Sequence, residues 1–201
     1  MHELAPLVIR LEQHRPRRNP LRRRLKRAAV AALLRDSRQG AEVLVIERAH
    51  RPGDPWSGDL ALPGGRIEAG DDASASRAAC RETGEEIGIA IDRSLGLGRL
   101  SDRLTLDHRR RRPMVISPFV YRWPLGARIT PNEEIAGWQW IALAWLDEPA
   151  NRGRLTWRLQ GLAQCLAKSM PCYDCGDGRR LWGLTLSMLD ELRRIGNGAG
   201  R

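Results

Sequence analysis

Apolar and polar positions alternate along the chain in the way that is typical of a mixed α/β protein. Two apolar runs of strand length, residues 28–34 and 42–47, flank a turn-like segment at 36–40 and predict a β-hairpin. Three further apolar runs predict strands, at residues 89–91, 115–122 and 138–141.

Helical patterns lie between and after these strands. An alanine-rich segment at residues 73–86 predicts a helix that Asp71 or Asp72 caps and that Gly88 ends. Residues 155–168 and 181–194 predict two more helices. Near the N-terminus, Leu21 and Leu25 are spaced four residues apart among arginines and predict a short basic helix.

Length and composition indicate a single folded domain. The chain has 201 residues, of which 42% are hydrophobic, and its apolar runs are far shorter than the ~20 residues that span a bilayer. We therefore expect a soluble protein. The sequence shows no signal-peptide pattern, so we expect a cytoplasmic location with reduced cysteine thiols.

The charge is distributed unevenly. The formal net charge is +10, and residues 1–27 hold nine basic residues against Glu3 and Glu12. We treat residues 1–27 as a basic N-terminal arm and residues 28–201 as the folded domain. An arginine excess suggests a phosphate-rich partner, but it also follows codon bias. For the arm itself, a solvated tail is favoured over a nucleic-acid or membrane contact.

The most informative segment is residues 81–89. On a helix, Glu82, Glu85 and Glu86 share one face, because they are spaced i, i+3 and i+4. Two charges ~5 Å apart repel by about 3 kcal/mol at an effective dielectric constant of ~20. A positive group is therefore expected on this face. Arg81 is one candidate, and a hard divalent cation with oxygen ligands fits three carboxylates better.

A glycine loop, Pro63-Gly64-Gly65, precedes this helix, and Gly88 and the apolar Ile89 follow it. In this arrangement the segment Arg-Glu-x-x-Glu-Glu-x-Gly resembles the Nudix box, and the chain is identified as a Nudix hydrolase by resemblance. Thr83 replaces an apolar residue of the box. The resemblance implies the Nudix fold, an α/β/α sandwich with a mixed β-sheet.

Nudix enzymes cut a diphosphate that links a nucleoside to another group, through attack of a metal-activated water on phosphorus. The resemblance implies that Glu82, Glu85, Glu86 and the Gly65 carbonyl hold Mg²⁺ or Mn²⁺. It also implies catalytic roles for Glu85, Glu86 and Arg81. Which glutamate is the general base stays open. Outside the box, Glu134 or the adjacent Glu133 is expected to supply a further metal ligand; a solvated turn is the alternative for this segment.

The first half of the box departs from the family pattern. Its first glutamate would fall at Ala73 and its glycine at Ile67, two residues after Gly65. A two-residue insertion explains this shift. Glu68, Asp71 and Asp72 are then the candidates for the missing glutamate, and the sequence does not choose among them.

Two other segments, one formed by residues 44–49 and 58–65 and the other by residues 176–178 and 181–185, resemble coenzyme A (CoA) diphosphatases. The sequence departs from the pattern of these enzymes at two points. Between Ala49 and Gly58 there is one extra residue and Asp54 lies nearest the place of the expected arginine, and Leu62 replaces the usual Phe. The leading expectation is cleavage of CoA or a CoA derivative to phosphopantetheine and adenosine 3′,5′-bisphosphate. The alternatives are NADH, ADP-ribose or damaged nucleotides as substrates, and a Nudix-fold binding protein without turnover.

The expected substrate contacts are Arg48, Gly64, Arg109 and Arg110. The arginines are expected to bind phosphate, because one guanidinium group can donate to two phosphate oxygens. A solvated loop is the alternative for the two arginines at 109–110. The expected partner is a small nucleotide-type substrate; a membrane is excluded and nucleic acid is not favoured. Many relatives are dimers, so a homodimer stays open.

Overall fold

The computed structural model describes residues 3–53, 56–107, 112–158 and 167–198. Three α-helices lie in these ranges: α1 Leu4–Gln13, α2 Ala75–Ile87 and α3 Gly183–Gly196. Eight strands of the described residues form the main sheet: β1 Lys26–Ser37, β2 Gly40–Arg48, β3 Leu60–Ala61, β4 Gly64–Arg66, β5 Gly96–Arg99, β6 Arg103–Asp107, β7 Arg112–Arg122 and β8 Ile135–Ala142. A second sheet contains β9 Arg152–Arg158, β10 Ala167–Asp174 and β11 Arg180–Trp182.

The main sheet is mixed. β1 and β2 form the predicted antiparallel hairpin, with Leu34 opposite Val43. On its other edge β1 runs parallel to β7, and β4 pairs antiparallel with the first half of β1. β2 also pairs with β3 and β8, whereas β7 pairs with β5 and β6. The N-terminal half of β1 thus lies beside the glycine loop, where the candidate site forms.

Helices cover both faces of this sheet. In β1, Ala29, Ala31 and Leu33 point to the core layer beneath α2. Ala32 and Leu34 point to the opposite layer, which α1 and α3 cover. This alternation follows from the two-residue period of a strand, and it explains why β1 is apolar on both sides. The arrangement confirms the α/β/α sandwich with a mixed sheet.

The N-terminal helix lies earlier than the sequence predicted. Leu4, Leu7 and Leu11 of α1 are buried in the core, and Arg10 donates a hydrogen bond to the Gly196 carbonyl at the end of α3. The predicted helix around Leu21 is wrong, because residues 20–24 form turns and Leu21 is 53% exposed. Pro16 and Pro20 interrupt helical hydrogen bonding just before this point.

Two further predictions are wrong. The helix predicted at residues 155–168 is replaced at both ends by strands, since β9 and β10 pair antiparallel with Thr156 opposite Ser169; residues 159–166 lie outside the described part. Residues 89–91 form no strand, although Ile89 is buried. Both errors came from short apolar runs, whose burial alone does not decide between helix, strand and loop.

α2 agrees closely with its prediction. Ser74, rather than Asp71 or Asp72, caps the first turn by accepting a hydrogen bond from the Arg77 backbone. Gly88 ends the helix in the left-handed conformation, as predicted. α3 begins two residues later than predicted, after β11. In the described part of the chain, no helix has the length and apolar character required to cross a bilayer.

Candidate functional site

The site forms where the last turns of α2 lie against the glycine loop and β4. Gly64 has φ +150°, and a Cβ at this position would lie 2.2 Å from the Ala29 carbonyl oxygen. Only glycine therefore fits between this loop and β1. The preceding Pro63 carbonyl accepts a hydrogen bond from the Ala31 N–H, 2.8 Å long, so the loop is fixed to the sheet on both sides.

Glu86 is buried beneath this loop. Its Oε2 accepts a hydrogen bond of 2.8 Å from the Gly64 N–H, and the residue is only 6% exposed. Burial raises the pKa of Glu86 to about 7; the Gly64 hydrogen bond opposes this shift, and repulsion from Glu82 and Glu134 adds to it. Glu86 is thus a buried carboxyl group with two acidic neighbours, and the positive charge of Arg48 compensates them only partly.

Glu82 lies one turn earlier on the same face. A Cβ at Gly65 would lie 2.3 Å from the Glu82 carboxyl carbon, so the second glycine is what allows this carboxylate to approach the backbone. Burial raises the pKa of Glu82, and the adjacent Arg81 opposes the shift. Both glycines of the loop therefore serve the carboxylates of α2.

Arg81 connects the acidic groups to one another. Its guanidinium donates to Asp71 at 3.1 and 3.2 Å, to Glu82 at 2.9 Å and to Glu85 at 2.9 Å. A further bond of 3.0 Å reaches the Arg66 carbonyl in β4. The fork geometry of arginine makes such multiple contacts from one side chain. Arg81 therefore ties α2 to the segment between β4 and the helix.

The structure distinguishes the three acids that were candidates for the missing glutamate. Asp71 is 2% exposed and faces Arg81, whose hydrogen bond lowers the pKa of this carboxyl group. Asp72 is exposed and pairs with Arg77. Glu68 forms a capping box with Asp71, and its N–H donates 2.8 Å to Asp71 Oδ2. Asp71 is thus the acid that contacts the arginine of the box.

The segment to which the two-residue insertion was assigned has an unusual backbone geometry. Residues Ala69–Asp71 form a short 3₁₀ turn, and the next two residues, Asp72 and Ala73, have φ of 49° and 56°. Left-handed conformation at two successive non-glycine residues is unusual. It reverses the chain before Ser74 and brings Asp71 beneath Arg81.

Thr83, which replaces an apolar residue of the box, is fully buried. Its hydroxyl donates a hydrogen bond of 2.7 Å to the Ala79 carbonyl one turn earlier. The hydroxyl is therefore satisfied within the helix, and the polar residue fits an apolar position without leaving a buried donor unpaired.

The loop that carries Glu134 is attached to the end of α2. Thr130 N–H donates to the Ile87 carbonyl and Asn132 N–H to the Glu86 carbonyl, each at 2.9 Å. Glu134 Oε1 accepts a hydrogen bond of 3.0 Å from Arg51. The Glu134 charge is close enough to raise the pKa of Glu86. The neighbouring Glu133 side chain is exposed.

The carboxylates do not form a closed metal site in this arrangement. In the part of the chain that the structure describes, no three His, Cys, Asp or Glu side chains converge closely enough to hold an ion. Arg81 binds Glu82 and Glu85 instead. The donor set still fits a hard cation, because Glu82, Glu86 and Glu134 carry carboxylate oxygens and the charges of Glu82 and Glu134 act on the buried Glu86.

Two expected substrate contacts lie at this site and two lie outside the described residues. Arg48, at the end of β2, is close enough to lower the pKa of Glu86, and Gly64 belongs to the loop. Arg109 and Arg110 fall outside the described ranges.

One contact near the site was not predicted. Trp182 Nε1 donates 2.9 Å to Asp59 Oδ1, which connects the start of α3 to the segment before the glycine loop. These two residues are 123 positions apart, so no local pattern indicates the contact.

Comparison with known proteins places these features in a family. The NUDIX domain model matches residues 25–159. An uncharacterised protein from Schizosaccharomyces pombe is 35% identical over 117 residues, which are 56% of this chain and 35% of that protein. The chain therefore spans about a third of the length of this curated relative.

A solved structure shows the same fold. A MutT/nudix family protein from Enterococcus faecalis superimposes with a TM-score of 0.56 at 18% identity, covering 98% of this chain and 69% of that one. A MutT NUDIX hydrolase from Burkholderia pseudomallei gives a TM-score of 0.47 at 27% identity, with 62% and 88% covered. The family match spans the glycine loop, the carboxylate helix and the Glu134 loop, and the chain belongs to the NUDIX domain family.

Proposed function

We propose that this protein hydrolyses the diphosphate of a nucleoside diphosphate derivative and that it uses Mg²⁺ or Mn²⁺ to do so. The observation that carries the proposal is the buried Glu86 carboxylate, which the Gly64 N–H holds beside the Glu82 and Glu134 charges. A buried carboxylate beside two like charges is costly without a cation. A bound divalent ion would neutralise the diphosphate and acidify the attacking water.

Each residue of the site then has a role. Glu82, Glu85, Glu86, the Gly65 carbonyl and Glu134 hold the cation. Glu85, whose side chain is 55% exposed, and Glu86 are the two candidates for accepting the proton of water. Arg81 positions Glu82 and Glu85, and Asp71 positions Arg81. Arg81 donates a hydrogen bond to Glu82, and a cation held by Glu82 would compete with this contact.

CoA or a CoA derivative is the substrate that we propose first. The two segments that resemble CoA diphosphatases are in contact through the hydrogen bond from Trp182 to Asp59. This contact supports a single subsite built from both segments beside the glycine loop. Arg48, Gly64, Arg109 and Arg110 are the proposed phosphate contacts. The products are phosphopantetheine and adenosine 3′,5′-bisphosphate.

A panel of substrates tests this proposal. Purified protein is incubated with CoA, NADH, ADP-ribose or oxidised dGTP, with Mg²⁺ or Mn²⁺, and the products are separated by chromatography. CoA is expected to be the best substrate. If another compound is cleaved faster, the CoA proposal fails and the diphosphatase proposal stands. If no compound is cleaved with either metal, the protein is not a diphosphatase for this set, and a binding role replaces it.

A variant pair tests the role of the Glu134 loop. Glu134→Gln is expected to lower kcat at least tenfold, because it removes a ligand charge next to Glu86. Glu148→Gln is the matched control, because Glu148 is exposed and lies outside the site. Equal activity of the two variants would remove Glu134 from the metal site.

A further inference from the structure

The basic segment at residues 15–27 is fixed to the domain rather than free of it. It holds eight arginines or lysines and no acidic residue. Arg17 N–H donates 3.0 Å to Ser101 Oγ, and the Arg17 carbonyl accepts 2.9 Å from Asp102 N–H. Asn19 N–H donates 2.8 Å to Asp102 Oδ2. The backbone of the segment is therefore held along the sheet edge before β6.

The arginine side chains of this segment do not share these contacts. Six of them make no side-chain hydrogen bond or ion pair with any residue that the structure describes: Arg15, Arg17, Arg18, Arg22, Arg23 and Arg24. Elsewhere in the described residues, arginines such as Arg81 and Arg103 are bound by carboxylates. The segment is thus fixed to the domain through its backbone, while these six guanidinium groups have no carboxylate partner among the described residues.

A groove lies at one end of this basic segment. It has a volume of about 410 Å³, and its charged lining consists of Arg15, Arg18 and Arg99 against one acidic residue, Glu12. The Arg99 side chain is mostly buried; it stacks on Phe119 and pairs with Asp102, but its Nε has no acceptor among the described residues. Burial lowers the pKa of Arg99, and repulsion from Arg18 and Arg22 lowers it further. An anion in this groove would relieve that repulsion.

The other end of the basic segment lies beside the glycine loop of the candidate site. A second groove of about 590 Å³ is lined by Lys26, Arg27 and Arg66, together with Glu68. Arg66 follows Gly65 directly and pairs with Ala28 of β1. The positive surface therefore extends along residues 15–27, from the Arg99 groove to the glycine loop.

We propose that this surface binds the phosphodiester backbone of a nucleic acid. Several arginines spread over one segment fit a repeating chain of phosphates better than they fit a single anion, and each guanidinium can bind two phosphate oxygens. The segment contains no aromatic side chain on which bases could stack, so the contact is independent of nucleotide sequence. The sequence alone favoured a solvated tail; the fixed backbone and the buried Arg99 are what change this interpretation.

A membrane surface is the competing partner, and the structure disfavours it. Leu4, Leu7 and Leu11 of α1 are buried against the domain and cannot enter a bilayer, which leaves Ile9, 57% exposed, as the outward-facing large apolar side chain of this helix. Within residues 15–27, Leu21 is the large apolar side chain that is mostly exposed. Stable attachment to a membrane needs a wider apolar face.

Fluorescence anisotropy with a labelled single-stranded RNA of about 20 nucleotides tests the proposal. EDTA is present throughout, so the result does not depend on metal or on hydrolysis. The test variant is Arg15→Glu/Arg18→Glu/Arg22→Glu. The matched control is Arg38→Glu/Arg122→Glu/Arg128→Glu, which changes the net charge equally at exposed positions, two of them at the opposite end of β1 and β7.

The wild-type protein is expected to bind the RNA, and its affinity should fall as the salt concentration rises. A plot of the logarithm of the binding constant against the logarithm of the salt concentration should have a slope of about −2 to −4, which corresponds to about three to six phosphate contacts. The test variant is expected to lose at least tenfold in affinity and the control less than threefold. The proposal is overturned if wild type does not bind at low salt, if both variants lose affinity equally, or if phosphatidylserine vesicles bind wild type and RNA does not. Circular dichroism of both variants checks that they are folded.

Discussion

The backbone N–H of Gly64 donates a hydrogen bond of 2.8 Å to the carboxylate of Glu86, and this contact joins the glycine loop to the acidic helix. The glycine loop and the Glu86 carboxylate each depend on the other for their position. The loop can lie this close only because residue 64 has no side chain, and the carboxylate is buried only because the loop covers it.

Replacement of Gly64 by alanine is expected to destabilise the protein by about 2 to 4 kcal/mol, because φ of +150° is strained for alanine and its Cβ meets the Ala29 carbonyl. Urea unfolding followed by circular dichroism measures the change. Gly70→Ala is the control, since a Cβ there meets nothing within 4 Å. A Gly64→Ala variant as stable as Gly70→Ala would contradict the packing described for the loop.

Glu86 is expected to make metal-free stability depend on pH. Burial raises its folded-state pKa to about 7, above the ordinary 4.5, so the folded protein holds this proton more tightly than the unfolded chain. The free energy of unfolding in EDTA should therefore fall as the pH rises from about 4.5 through 7. Glu86→Gln should remove this fall and be more stable than wild type by about 2 to 3 kcal/mol at pH 8. A variant that is less stable than wild type at pH 8 would show that the carboxylate is not penalised by burial.

Glu191 is expected to show the opposite dependence. Burial opposes its ionisation, but hydrogen bonds from Ser101 and Arg103 outweigh burial and hold its pKa below the usual range. The stabilisation is therefore present above pH 4.5 and is lost as the pH falls through the folded-state pKa.

Urea unfolding of Glu191→Gln tests this. The variant should be about 2 to 4 kcal/mol less stable than wild type at pH 7, because it leaves Arg103 without its carboxylate. The difference should shrink below the folded-state pKa. Glu148→Gln, at an exposed position, should change stability little at either pH. A pH-independent loss in Glu191→Gln would assign the effect to packing instead.

Asp71 is expected to act as a positioning residue for Arg81. Asp71→Asn should lower kcat about 10- to 100-fold and leave KM nearly unchanged, because it loosens the arginine that orients Glu82 and Glu85 without touching the substrate. Steady-state kinetics measures this split. Asp72→Asn, one residue further on and exposed, is the control. Equal kinetics for the two variants would show that Asp71 serves folding alone.

Much of the fold could be predicted because its signals are local. The hairpin of β1 and β2 and the helix α2 follow from apolar spacing, a turn and Gly88. The strand pair β9 and β10 was missed, because residues 155–158 and their partners at 167–170 form an antiparallel pair where the apolar pattern indicated one helix. The spacing of Leu4, Leu7 and Leu11 is a usable signal for α1. The prediction placed the N-terminal helix around Leu21 instead, because it relied on the leucines among the arginines that follow.

The candidate site, like the fold, has some features that the local sequence predicts and others that it does not. Glu82, Glu85 and Glu86 could be predicted to share a helix face from their spacing alone. The acid that faces Arg81 could not be chosen from sequence, because the choice depends on the left-handed turn at Asp72 and Ala73. Likewise, the contact between Trp182 and Asp59 depends on the complete fold, since it joins residues from opposite ends of the domain.

Metal-dependent turnover of wild type and Glu86→Gln, side by side with Glu148→Gln, tests the central claim most directly. With CoA or the best substrate of the panel, product should form with Mg²⁺ or Mn²⁺, stop on addition of EDTA and resume when the metal is restored. Glu86→Gln should lose at least ~100-fold in kcat, the scale of one charge-stabilising group in a catalytic site, and Glu148→Gln should match wild type. Turnover that persists in EDTA, or that Glu86→Gln retains in full, would contradict a metal-dependent mechanism at this carboxylate.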